Sequence, residues 1–238
     1  MGTKASNARE RSLIPHYDGL SEDYLIERPD VSDKYSDFKI TNLITNESAW
    51  LEDKQTEQDR FMSTGVKYIN GTWLFNGEQN IFTKTLTPIV NSRAQWFIDK
   101  YNITELNQNT DELFETLVKE SNNGVKKGII KNVIVEGFGK ITSNYYNYGK
   151  EERCHYIQMG DNFYLMGENV LDLPNNIPQL KGNGIVNIRW CLDTKKNPDG
   201  TRTPKSLRTK TDTFFNVNTM IESNYSMKQG TKKLNPFI

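Results

Sequence analysis

The sequence predicts an α+β protein: one or more small antiparallel sheets with two or three helices, and extended arms at both termini. Three observations lead there. Stretches rich in β-branched and aromatic residues alternate with two helix-like patterns in the order β–α–α–β–β–β. Tight-turn dipeptides punctuate the strand-like stretches. The two ends are polar, oppositely charged and short of apolar residues.

The expected organisation is an N-terminal arm over 1–45, an α+β core over 46–193 and a basic arm over 194–238. Pro15 and Pro29 interrupt the first arm, and its apolar residues come as short pairs, Leu13-Ile14 and Leu25-Ile26. Asp18 to Asp59 carries twelve acidic and four basic side chains, formally about −8. Asn46, a good N-cap, predicts a helix over 47–62 with sparse apolar points at Trp50, Leu51, Phe61 and Met62. Val66 to Phe82 reads as a hairpin or meander turning at Asn70-Gly71 and Asn76-Gly77.

Thr87 and Pro88 predict the start of a helix running to Tyr101, with Val90, Ala94, Phe97, Ile98 and Tyr101 on one face. A second helix is expected over 110–121, with Asn109 and Glu112 at capping-box spacing. Strands follow: Ile129 to Ile141, interrupted by Gly137 and Gly139, then a hairpin of Cys154 to Met159 and Asn162 to Met166 around Gly160-Asp161, then Ile185 to Cys191. From Thr194 nine Lys or Arg face three Asp or Glu, about +6.

Composition narrows the class. The chain has 238 residues, enough to bury a core, with aromatics at 11% and a mean hydropathy of −0.71. Asn is roughly a tenth of the chain and Ala is scarce, a bias expected of an A/T-rich genome. No apolar run approaches the ~18 residues of a membrane span, and Met1 to Arg11 lacks the apolar region of a secretory signal. Cys154 and Cys191 suit a reducing compartment. Sequons at Asn46, Asn70, Asn102 and Asn224 then read as products of Asn and Thr abundance.

Candidate chemistry is sparse. Cys154-His155 is the one close Cys/His pair, and zinc needs about four converging ligands. Neighbours on a strand point to opposite faces, which argues against a nucleophilic couple there. Asp161, Glu168, Asp172 and Glu136 lie among the strands without the clustering a nuclease-like metal site needs. No metal or cofactor is therefore expected.

Glu136-Gly137-Phe138-Gly139-Lys140, preceded by two helices, resembles the histone-like HU family over about Ile89 to Thr142. That resemblance would imply DNA-binding arms with an Asn-Pro tip, but Asn197-Pro198 comes far later in the chain. The region after Gly139 also lacks the family's dense basic pattern. The other reading is that two glycines let a strand bend. The string departs from the RNA-binding RNP1 pattern, with Glu136 at the basic position and Lys140 at an aromatic one.

In general style the chain resembles tailed-bacteriophage virion proteins. That resemblance implies a non-enzymatic assembly subunit, such as a head-tail connector or ring protein. Its partners would be copies of itself and neighbouring proteins, with no membrane, and its place the virion assembled in the host cytoplasm. Phe214, Phe215, Phe237 and Ile238, with Lys205 and Arg208, are the expected interaction residues. The alternative is a nucleic-acid-binding protein or nuclease using the basic C-terminal segment, although net charge is zero and the pI about 6.8.

Overall fold

The structure, a computed structural model, describes residues 22–28, 36–69, 72–75, 79–101, 129–148, 153–200 and 202–238. It is α+β, and most of its strand pairs are antiparallel. The strands are β1 Tyr24–Glu27, β2 Phe38–Asn42, β3 Ser48–Lys54, β4 Met62–Ile69, β5 Thr72–Phe75, β6 Ile129–Val135, β7 Cys154–Met159, β8 Asn162–Leu165, β9 Gly184–Lys196 and β10 Arg202–Phe215. The helices are α1 Ile81–Tyr101 and α2 Phe138–Tyr148. The expected helix over 110–121 lies outside the described residues. No helix among the described residues is long and apolar enough to cross a membrane.

The chain divides into two units, and the division is not the expected arm–core–arm. The first comprises Met1–Asp59, Glu136–Asn183 and Phe215–Ile238; the second comprises Arg60–Val135 and Gly184–Phe214. The first unit holds a sheet in the order β1-β2-β3-β7-β8. Its pairs are antiparallel except β3–β7, which is parallel. Phe38, Ile40, Ala49, Leu51, Tyr156 and Phe163 line one core and are almost fully buried. Residues 36–45 of the expected N-terminal arm thus include central core, because Phe38 and Ile40 alternate on a strand rather than standing as isolated docking points.

The expected helix over 47–62 is the strand β3. Asn46 takes φ 60 in a loop rather than capping a helix, and Asn42 Oδ1 accepts the amides of Ile44 and Thr45 at 2.8 and 3.1 Å. Beyond the loop, Ala49 and Leu51 recur at the two-residue period of a strand and share the core.

The C-terminal segment is not an arm either. Phe237 is 6% exposed and packs edge-on to Tyr24 at 4.9 Å and Phe163 at 5.8 Å. Phe215 is buried against Phe138 at 4.8 Å, and Tyr225 and Met227 join the same unit's buried set. Apolar points spaced irregularly along a polar segment can still converge when the chain folds back over a sheet.

The second unit's sheet runs β5-β4-β10-β9-β6. The expected hairpin after Val66 is the β4–β5 pair. Helix α1 starts at Ile81 rather than Pro88. Asn80 Oδ1 accepts the Thr83 amide and Thr83 Oγ1 accepts the Asn80 amide, each at 2.9 Å, a reciprocal cap that outweighs the Thr87-Pro88 signal. Its Asn91 receives the Trp73 amide at 2.7 Å and donates to the Trp73 carbonyl at 3.0 Å, so a helix side chain pairs the edge strand β5.

The Ile129 to Ile141 run divides: β6 ends at Val135, and the Gly-Phe-Gly string opens α2. Gly137 has φ +63, and a Cβ on Gly139 would stand 2.6 Å from the Leu180 carbonyl oxygen. A left-handed turn and a close backbone approach account for the two glycines, without DNA-binding arms. The hairpin at Gly160-Asp161 forms as expected, between β7 and β8.

The two closing residues separate sharply. Phe237→Ala should cost about 3–5 kcal/mol and Ile238→Ala, at a site 90% exposed, less than about 0.5 kcal/mol in urea unfolding. Equal effects would contradict this packing.

Candidate functional site

The first unit's sheet brings ionisable groups together at one end. Phe38 pairs with Leu51, so Asp37 stands one step beyond that pair, in register with Glu52. Glu52 and Lys54 are two residues apart on β3 and therefore share the face opposite Ala49 and Leu51. The carboxyl end of β3 and the start of β2 form the same edge, and β3 runs parallel to β7.

The contacts are specific. Lys54 Nζ lies 2.6 Å from Glu52 Oε1, and the two side chains are 16% and 7% exposed. Tyr146 Oη, buried on α2, donates to the same Oε1 at 2.8 Å. The Asp53 amide donates to Asp37 Oδ2 at 2.8 Å. Ser36 is 3% exposed, and its Oγ, next to Asp37, has no hydrogen-bond partner among the described residues. Helix α2 arrives over this face because Phe138, Thr142 and Tyr146, spaced by four, are all buried.

The carboxylates perturb Lys54 and Tyr146. Burial alone would lower the Lys54 pKa, but the carboxylates of Glu52, Asp37 and Asp53 outweigh it and raise it above the ordinary 10.5. Tyr146 is pushed well above 10.0, first by burial and then by the Glu52 charge. Lys54 is thus an ammonium, and Tyr146 a neutral donor, throughout the physiological range.

The residues singled out in the sequence are placed differently. Cys154 and His155 are successive on β7; the Cys154 Sγ meets the Tyr156 carbonyl at 3.3 Å, while His155 Nδ1 accepts the Trp50 amide at 3.4 Å. Cys154 Sγ also lies 3.7 Å from the Trp50 carbonyl, so the two side chains meet different backbone atoms of one residue rather than each other. Asp161 is an exposed hairpin residue 3.6 Å from Lys228. Glu136 and Asp172 are exposed, and Glu168 lines a cleft of about 250 Å³ with Ser143, Asn147, Arg153 and His155. None of these four carboxylates touches the Glu52 group through a described contact.

Phe215 and Phe237 are buried within the chain's own first unit, Ile238 is exposed and Phe214 half-buried. Lys205 and Arg208 lie on β10, with side chains outside the described residues. Asp37, Glu52, Lys54 and Tyr146 were missed. Glu52 and Lys54 fall in the expected helix over 47–62 and Asp37 in the expected arm; the Glu-x-Lys spacing on a strand, with an Asp just before the preceding strand, is the signal that points to them.

Among the described residues no three His, Cys, Asp or Glu form a group that could hold a metal by protein ligands alone. Magnesium asks for less: it keeps several waters and takes one or two carboxylates. Asp37 and Glu52 are the residues that could supply them.

Alkaline conditions should weaken the fold. Tyr146, Tyr156, Tyr164 and Lys54 all hold their protons more tightly when folded than their ordinary values of 10.0 and 10.5 imply. The folded state therefore binds more protons than the unfolded state above pH ~10, and stability falls there as pH rises. Urea midpoints should decline above pH ~10, less steeply in Tyr146→Phe; a midpoint constant from about pH 8 to 11 would contradict these environments.

No family model matches the chain, and no curated protein matches it. Among solved structures it is similar to HhaI endonuclease in complex with DNA, at 9% identity over 92% of each chain, with a TM-score of 0.34. An overlap that low assigns neither fold nor activity to this chain.

Proposed function

We propose that the chain hydrolyses phosphodiester bonds in nucleic acid, using Asp37 and Glu52 to hold a divalent cation and Lys54 at the reacting phosphate. One observation carries the reading: Glu52, Lys54 and Tyr146 form a mostly buried polar group beside Asp37 at one end of a sheet. Removing charges from water is costly, and a buried ion pair is weak ground for stability. Clustered, mutually perturbed titratable groups gather where chemistry is done.

A bound divalent cation would polarise the phosphate and make water a better nucleophile. Asp37 and Glu52 would hold it from two hydrogen-bonded strands. Lys54, permanently an ammonium, offsets the negative charge that builds on the phosphoryl oxygens as water attacks phosphorus and the sugar oxygen departs. The substrate class rests on charge. Lys195, Lys196, Arg202, Lys205, Arg208 and Lys210 fall on the neighbouring strands β9 and β10, joined at Asn197-Pro198-Asp199-Gly200. A two-stranded ribbon fits the major groove of a duplex, and such charges would neutralise phosphates.

The assembly-subunit expectation drew its support from two charged arms. The described parts of both contribute strands and buried core residues, which weakens that support.

The test is cleavage of supercoiled plasmid and of single-stranded RNA in Mg²⁺ or Mn²⁺. Wild type should cut at least one; Asp37→Asn and Glu52→Gln should fall below detection while keeping wild-type circular dichroism. Lys54→Met should lose about 10²–10³-fold in rate. A wild-type chain that cuts neither substrate, or carboxylate variants that cut like wild type, would sink the reading.

A further inference from the structure

We infer that Tyr146 is the positioning residue of this site, the neutral and rigid donor that fixes the Glu52 carboxylate for its cation; the inference rests on the nuclease reading above. Two donors among the described contacts meet Glu52 Oε1, Lys54 Nζ at 2.6 Å and Tyr146 Oη at 2.8 Å. They differ in what happens when a cation arrives. Lys54 is a positive charge on a flexible four-carbon stem, so a divalent cation repels it and it can swing toward a phosphate. Tyr146 carries no charge, so it keeps its hydrogen bond beside the cation.

The backbone holds Tyr146 where that bond requires. Its helix is tied down at its first turn: the Gly139 amide donates to the Gly182 carbonyl at 3.1 Å, and the Gly137 amide to Asn183 Oδ1 at 3.2 Å. The absent Cβ at Gly139 lets α2 approach Leu180 closely. Phe138 is fully buried, packed against Phe215. At the other end of the helix Asn147, adjacent to Tyr146, donates to the Met166 carbonyl at 2.8 Å. A side chain 5% exposed on a helix pinned at both ends has little freedom to turn away. Groups that hydrogen-bond a metal ligand from behind orient it, and losing one costs about 10–100-fold in metal affinity or activity.

The experiment measures Mn²⁺ binding by electron paramagnetic resonance, alongside Mn²⁺-dependent plasmid cleavage, for wild type, Tyr146→Phe, Glu52→Gln and Thr142→Val. Thr142 lies on the same buried face and its Oγ1 has no partner among the described residues, so its variant controls for disturbance of the helix. Tyr146→Phe should weaken Mn²⁺ binding by about 10–100-fold and raise the Mn²⁺ needed for half-maximal cleavage equally, with the KM for DNA unchanged. Thr142→Val should match wild type. Should the Phe variant melt below the assay temperature, Tyr146→Gln, which keeps a donor, is read instead, and affinity close to wild type supports the assignment. Tyr146→Phe binding Mn²⁺ like wild type while Glu52→Gln has lost it, or Tyr146→Gln failing as completely as Glu52→Gln, overturns the role of Tyr146 and leaves the cation site standing. Wild type and Glu52→Gln binding Mn²⁺ alike overturns the nuclease reading itself, and this inference with it.

Discussion

The pairing of Phe38 with Leu51 is the constraint on which the site depends. Both side chains are fully buried on the same face of the sheet, so the register between β2 and β3 is fixed by the core. Side chains alternate along a strand with period two, and a slip of one residue would turn every one of them over. With Leu51 held inward, Glu52 and Lys54 must project from the other face and Asp37 must open β2 beside them. The polar group at the sheet end is thus set by apolar packing one residue away.

A second constraint comes from the face that α2 covers. The core side of the sheet is closed by Tyr156, Phe163, Phe237 and their neighbours. The side bearing Glu52 is covered by a helix that contributes a phenol where another apolar residue would have packed with less difficulty. A buried carboxylate needs hydrogen bonds, and Tyr146 and Lys54 both supply them to Glu52. Such an arrangement costs stability that an apolar core would not, which is the expected mark of a place selected for chemistry.

The α+β class and the β7–β8 hairpin were legible in the sequence because they depend on local signals: segment order, and a Gly-Asp turn between alternating runs. The site was not legible because its residues were assigned to the wrong elements. Read as a helix, residues two apart lie about 200° apart, so Glu52 and Lys54 fall on opposite faces. Read as a strand they coincide. Asn46 misled in the same way, since a residue suited to capping a helix is also suited to the left-handed turn it occupies, at φ 60. Phe215 and Phe237 were read as docking points because no periodicity links them to a core. Their burial depends on contacts with Phe138, Tyr24 and Phe163, far away in sequence.

The proposed cation site is formed by Asp37 together with Glu52. Crystals soaked in MnCl₂ and measured at the manganese absorption edge locate such an ion directly. One strong anomalous peak is expected between the Asp37 and Glu52 carboxylates, with Tyr146 Oη still bonded to Glu52 and Lys54 Nζ moved off it. Manganese bound elsewhere, with the 2.6 Å contact between Lys54 and Glu52 intact, would contradict it.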